Sequence, residues 1–255
     1  ITKKTKVVLP VHMLGYPCNM DKIKKICKEK KIKIVEDNCE SLGGKYKNKF
    51  LGNLGDVGIL SFDFGKTITT GEGGMILTNN KKIYDYCREY HDHGHKNIAG
   101  LSRGKDKVKI TGFNYRMTEL QGAIGKVQLK KLKTILSNNK IKYDILKKNI
   151  LNFRKRDLPI YGKSNFDCFI FFVSKNSKKK IIEILNNFNI GTKNLPDAIK
   201  WHCAYYWKHI FTKKECLEVK FTYNLLKSTI AIPILFTKKK LIYKKIASEI
   251  NNINV

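Results

Sequence analysis

KIKIVEDNCESLGGKYKNKFLGNLGDVGILSFDFGKTITTGEGGMIL, residues Lys31 to Leu77, opens on the apolar run Ile32–Val35 and closes that run on two carboxylates, Glu36 and Asp37. After a glycine-punctuated excursion a second apolar run follows, Val57–Phe62, and leads to one lysine, Lys66, in a turn bounded by Gly65, Gly71, Gly73 and Gly74. Both runs have the length and composition of buried strands. If the two strands are neighbours, the acid and the lysine meet, because open α/β sheets gather their ligands at the carboxyl ends of their strands.

One acid and one shielded lysine suit a specific chemistry. A lysine held away from water gives up its proton readily, and the free amine can form an imine with a carbonyl. Pyridoxal phosphate carries such a carbonyl, and its pyridine ring draws electrons when an aspartate keeps the ring nitrogen protonated. Asp37 and Lys66 would supply both groups. The plain alternative is a structural ion pair.

The same residues resemble the core of the DegT/DnrJ-type sugar aminotransferases, which are pyridoxal-phosphate-dependent and share the aspartate aminotransferase fold. In that family the pattern acid-Asp-x-x-(Gln, His or Glu) sets the aspartate on the ring nitrogen and the residue three positions on against the ring hydroxyl; here these are Asp37 and Glu40. The pattern Ser-Phe-x-x-x-Lys matches Ser61 to Lys66, which implies a phosphate contact from Ser61 and covalent attachment at Lys66. A third motif, GFNYRMTELQGA from Gly112 to Ala123, resembles a segment whose asparagine reaches the cofactor phosphate across a dimer interface, which implies that role for Asn114 and a homodimer with shared sites. Arg116 of that motif is a candidate substrate contact. A sister branch, the dehydratases of 4-keto-6-deoxy sugars, has histidine where Lys66 stands, so lysine argues for amino transfer.

The resemblance extends outward from this core. The opening residues read as a strand at Val7–Val11, a turn at Gly15–Pro17, and a helix capped by Asn19 with Ile23, Ile26 and Cys27 on its apolar face. They resemble the family's P-V-H-x-x-G segment, normally well inside the chain, so a preceding segment holding first strands, a phosphate-cradling turn and a ring-stacking aromatic is expected to be missing here. His12 is either a candidate substrate contact near the cofactor or a packed histidine. Past Gly74, Met75–Thr78 reads as a strand and Lys81–Tyr90 as a helix, followed by HDHGHK, a loop in which His93 is a candidate substrate contact and no metal site is expected. Asn97–Lys109 reads as polar and mobile. From Thr118 a long helix carries Leu120, Ala123, Ile124, Val127, Leu129, Leu132, Ile135 and Leu136 on one broad apolar face.

The expected division is a cofactor-binding large domain over residues 1–135 and a linker helix with a smaller α+β domain over 136–255. The latter shows a strand at Phe169–Val173 and helices at Lys178–Phe188, Leu217–Leu226 and Lys238–Ile250. By resemblance, the segment NIGTKNLPDAIKWHCAYYWKHI lies near the active-site mouth, which makes Lys193, His202, Trp201 and Trp207 candidate sugar contacts, although aromatic stretches are more often buried.

Composition narrows the classes. The chain has 255 residues, 42% of them hydrophobic, enough for one large or two modest cores. No apolar run is long enough to span a membrane and no leader pattern is seen, so the reading is cytoplasmic. The seven cysteines are scattered, without a C-x-x-C pair, which suits reduced thiols. The net charge of +30 comes from lysines distributed through helices among Ile and Asn, the pattern of a solvated basic surface rather than a nucleic-acid site.

The resemblance implies transfer of an amino group, with glutamate as donor, to a keto or aldehyde sugar for surface polysaccharide, the acceptor being a nucleotide-linked keto-hexose. EDNCESLGG, SFDFGKTITTGEGGM, HDHGH and LPDAIKWH also resemble the branch that aminates C8 of an oxidised 3-deoxy-octulosonate of lipopolysaccharide. Readings from other classes are a family member inactive through truncation and a basic nucleic-acid-binding protein.

Overall fold

The structure, a computed structural model, describes residues 1–193 and 197–253 and divides into two compact units, Ile1–Lys133 with Pro159–Ser164 and Thr134–Leu158 with Asn165–Val255. In chain order the first unit holds β1 (Val7–Val8), α1 (Met20–Glu29), β2 (Lys33–Asp37), β3 (Lys45–Tyr46), β4 (Lys49–Phe50), β5 (Val57–Ser61), β6 (Gly74–Leu77) and α2 (Lys81–Tyr90). α3 (Glu119–Asn149) runs through the boundary between the units, and β7 (Gly162–Lys163) returns to the first.

Its main sheet has the order β1-β2-β5-β6, parallel from β1 to β5, with β6 antiparallel to β5. Asp37 pairs with Ile59, so the carboxyl ends of β2 and β5 lie side by side. Side chains alternate along β2: Ile34 and Glu36 are buried, while Asp37 on the opposite face is only half-buried. Ile34 joins Met20, Cys27, Ile32, Tyr46 and Leu51 in the core under the sheet. A smaller antiparallel sheet, β4-β3-β7, flanks it.

Asn19 caps α1 as expected, accepting the Lys22 N–H. The helix's apolar face is narrower than its sequence suggests, for Cys27 is buried and Ile26 is 46% exposed. The stripe on α3 departs further. Leu120, Ile124, Val127 and Leu129 are exposed, and the helix buries only Asn139, Lys142, Tyr143 and Leu146, in its second half. Apolar periodicity records that a face is to be covered, not what covers it.

Gly58 in β5 sits where no side chain fits, because a Cβ there would lie 2.1 Å from the Gly52 carbonyl oxygen. Gly58→Ala must therefore push the 51–56 loop away from β5. An expected loss of about 1–3 kcal/mol, read by denaturant unfolding, checks this; an unchanged midpoint would contradict it.

The second unit contains β8 (Cys168–Phe172), α4 (Lys175–Asn187), α5 (Ile199–His202), α6 (Lys213–Glu218), α7 (Lys220–Lys227), β9 (Thr229–Pro233) and α8 (Lys240–Asn251). β8 and β9 pair antiparallel, and Phe169, Phe171, Ile230 and Ile232 are almost fully buried with Ile181, Leu185, Tyr243 and Ile246. Such two-sided burial explains why both strands read as continuous apolar runs. α4 starts three residues before the expected position because Ser174 caps it, accepting the Ser177 N–H. The single helix expected over Leu217–Leu226 is two, broken at Val219.

Candidate active site

Asp37 ends β2, tied into the sheet on both sides of its backbone: its N–H donates to Pro10 O (2.9 Å) and its carbonyl accepts the His12 N–H (3.0 Å). Its carboxylate Oδ1 accepts the Cys39 N–H at 3.0 Å, which folds the chain back immediately after the strand. That turn brings Glu40 over the sheet edge, where Oε2 accepts the Leu14 N–H (2.9 Å) and Oε1 lies 3.8 Å from Lys66 Nζ. Lys66 is held by a turn after β5, its N–H bonded to Asp63 O (3.1 Å), and its side chain is only 20% exposed. Cys39 shares this corner; burial, then Asp37 beside it, push its thiol up to about 12, so it stays protonated at neutral pH. Asp37, Cys39, Glu40 and Lys66 thus form one cluster at the carboxyl ends of two parallel strands. A carboxylate beside a shielded lysine amine can hold a cationic ring nitrogen on one side and move protons on the other.

Glu36, the other acid of the pair, does different work. It is fully buried with His12, whose Nε2 lies 3.0 Å from Glu36 Oε2. The backbone N–H groups of Gly52 (3.1 Å), Leu54 (2.6 Å) and Gly55 (2.5 Å) donate to the same carboxylate. Burial alone would raise its pKa, but His12 and these three N–H groups hold it below the usual carboxylate range. The Cys18 N–H donates to His12 Nδ1 (3.0 Å), which leaves Nε2 as the ring's donor to Glu36; burial works against a charged ring, but Cys18 and Glu36 beside it raise its pKa to about 9. Full burial removes His12 from the candidate substrate contacts; it is the packed histidine of the two readings.

The other expected residues divide. Ser61 ends β5, its Oγ accepting the Asp63 N–H at 3.4 Å. Asn114 is exposed and bridged to Asp92. Arg116 is not a free cation: its guanidinium donates to Asp92 (2.5 Å), a 6% exposed carboxylate that Arg103 and Asn97 also bind. His93 is exposed, with a left-handed backbone (φ 55°) and its ring edge-on to His95. Among the described residues no group of three His, Cys, Asp or Glu side chains is arranged for a metal. The segment expected to be mobile, Asn97–Lys109, is anchored twice, by Arg103 on Asp92 and by Asp106, which binds His95 Nδ1 (2.7 Å) and the Lys96 N–H (2.7 Å).

In the second unit, Lys193 is paired with Asp167 and its N–H donates to Ala231 O (3.0 Å). His202 and Trp201 are exposed in α5, and Trp207 stacks on Phe211 while donating from Nε1 to Trp201 O. Leu195 and Pro196 of the LPDAIKWH motif lie outside the described residues.

Residues 1–250 match the model of the DegT/DnrJ/EryC1/StrS aminotransferase family. The chain belongs to this family. GDP-perosamine synthase of Escherichia coli O157:H7 is 41% identical over 150 residues, 59% of this chain and 40% of that protein. Helicobacter pylori PseC, an aminotransferase involved in the biosynthesis of pseudoaminic acid, superposes with a TM-score of 0.80 at 21% identity, over 98% of this chain and 67% of PseC. GDP-4-keto-6-deoxy-D-mannose-3-dehydratase of E. coli, solved with bound hydrated PLP, has a TM-score of 0.79 and 25% identity over 98% of this chain and 68% of its own. The α/β fold read from the sequence is the fold of these structures. The chain spans about half the length of the curated relatives it matches. No helix among the described residues is long and apolar enough to cross a membrane. Within this family chain, what sequence reasoning missed is the partnering of Glu36 with His12. Its signal was present in strand alternation, which sends two adjacent acids to opposite faces.

Proposed function

We propose that the protein containing this chain is a PLP-dependent sugar aminotransferase that takes an amino group from glutamate and delivers it to the keto carbon of a nucleotide-linked hexose. The observation that carries this reading is Lys66 Nζ, 3.8 Å from Glu40 on a side chain only 20% exposed, beside the strand end that presents Asp37. The residues fit the cofactor: a half-buried carboxylate for its ring nitrogen, an amine for its aldehyde, and a hydroxyl at the end of β5 for its phosphate. Bound PLP supplies an electron-withdrawing ring that lets a proton leave the carbon bearing the amine. Asp37 keeps a proton on the ring nitrogen. Lys66 Nζ would hold the cofactor and would serve as the general base and acid for the donor's α-proton. Glu40 orients Lys66 by charge and lies on the ring-hydroxyl side. Ser61 binds phosphate, and Asn114, exposed, reaches the neighbouring subunit's site in a homodimer.

Lysine at position 66 favours amino transfer over dehydration. The nucleotide-linked acceptor is supported by the names of the perosamine synthase and the dehydratase; the octulosonate acceptor has no such support and is set aside. Such chemistry belongs in the cytoplasm, upstream of surface polysaccharide.

Incubating the complete protein with PLP, glutamate and a GDP-linked 4-keto-6-deoxyhexose, and resolving products by mass spectrometry, tests this. The expected result is a GDP-linked amino sugar and an equal amount of 2-oxoglutarate. A dehydrated sugar, or 2-oxoglutarate formed without an aminated sugar, would overturn it.

A further inference from the structure

We propose that His12 and Glu36 are a positioning pair that holds Asp37 and Glu40 in place against Lys66. The inference rests on the PLP-dependent reading above. His12 makes four hydrogen bonds, all inside the protein. Its N–H donates to Asp37 O (3.0 Å), its carbonyl accepts Ser41 Oγ–H (2.5 Å), its Nδ1 accepts the Cys18 N–H (3.0 Å), and its Nε2–H reaches Glu36 (3.0 Å). Glu36 gathers three N–H groups of the 52–55 loop on the same carboxylate. Two loops, 11–18 and 52–55, are therefore bolted to the end of β2 through two side chains, both 0% exposed, and the 38–41 turn is tied to the His12 main-chain carbonyl. Asp37 is the next residue after Glu36. Glu40 receives its orienting hydrogen bond from Leu14 N–H, two residues beyond His12 and fixed in a left-handed conformation (φ 58°). Loss of the ring thus frees the 12–18 loop, whose Leu14 N–H orients Glu40 beside Lys66, without touching either residue. Neither member of the pair meets solvent, so neither contacts substrate; the pair acts by orienting those that do.

His12→Leu removes the donor to Glu36, and His12→Gln keeps an amide donor on a side chain of similar reach. Two readouts are taken on the complete protein: the absorption band formed with PLP, with the rate at which glutamate bleaches it, and the acylation rate of Lys66 by N-hydroxysuccinimidyl acetate without cofactor, read by peptide mass spectrometry. In His12→Leu we expect a shifted band, bleaching slowed about 10- to 100-fold, and a changed Lys66 acylation rate, with His12→Gln restoring most of each. If His12→Leu lowers thermal stability while band, bleaching and Lys66 reactivity match wild type, the pair is only a fold element and the proposal fails. If the wild type forms no band, it is the PLP reading that fails, and the cofactor-free acylation rates alone decide whether the pair positions Lys66's surroundings.

Discussion

Lys66→Ala is expected to abolish amino transfer and the near-visible band of bound PLP while leaving the protein folded. The amine is the anchor and the proton carrier at once, and general acid–base catalysis alone contributes about 10²- to 10⁴-fold; losing the anchor adds to that. The fold depends little on this side chain. Lys66 lies in a turn, and its only ion-pair partner among the described residues, Glu40, stands at 3.8 Å with both side chains partly exposed, an arrangement worth less than about 1 kcal/mol. Steady-state assay beside thermal unfolding separates the two quantities. An unfolded Lys66→Ala variant, or one retaining more than a few per cent of activity, would contradict the role.

Glu36→Ala is expected to do the reverse, acting first on stability. It leaves the His12 Nε2–H and three backbone N–H groups without an acceptor in a site that is 0% exposed. Breaking a buried, hydrogen-bonded partner of this kind costs about 3–5 kcal/mol, which at roughly 2–4 °C per kcal/mol for a chain of this size lowers Tm by about 10 °C. The pH dependence has a definite sign. Because the folded-state pKa of Glu36 is depressed, its contribution is complete above the ordinary carboxylate value near ~4.3, and is lost as pH falls through the lower folded value. The stability gap between wild type and Glu36→Gln is therefore widest at neutral pH and narrows in acid. A gap that stays constant from neutral to about pH 3 would show that the carboxylate is not held ionised.

The positions of Asp37 and Lys66 were legible because the information is local: each lies within a few residues of the end of an apolar run, and successive strands pair as neighbours. Glu40 was legible from its spacing in a family motif, and the Asn19 cap from helix chemistry. Pairings over long separations were not. Nothing near His12 says that it will meet Glu36, 24 residues on, and nothing in the GFNYRM motif says that Arg116 will close on Asp92. The stripe of α3 misled for a different reason. A 3.6-residue period is indifferent to what covers it, so Leu120 and Val127 have the pattern of a core and the exposure of a surface. Likewise, polarity alone made Asn97–Lys109 look unattached, whereas Asp92 and Asp106 hold it at two points.

The central claim is that Lys66 is the residue to which the cofactor attaches. Reducing the PLP-loaded complete protein with borohydride and mapping the pyridoxyl group by peptide mass spectrometry addresses it directly. The label is expected on the peptide containing Lys66, and it is expected to disappear when glutamate is added before the reductant. A label on any other lysine, or none on a protein that has taken up PLP, would contradict it.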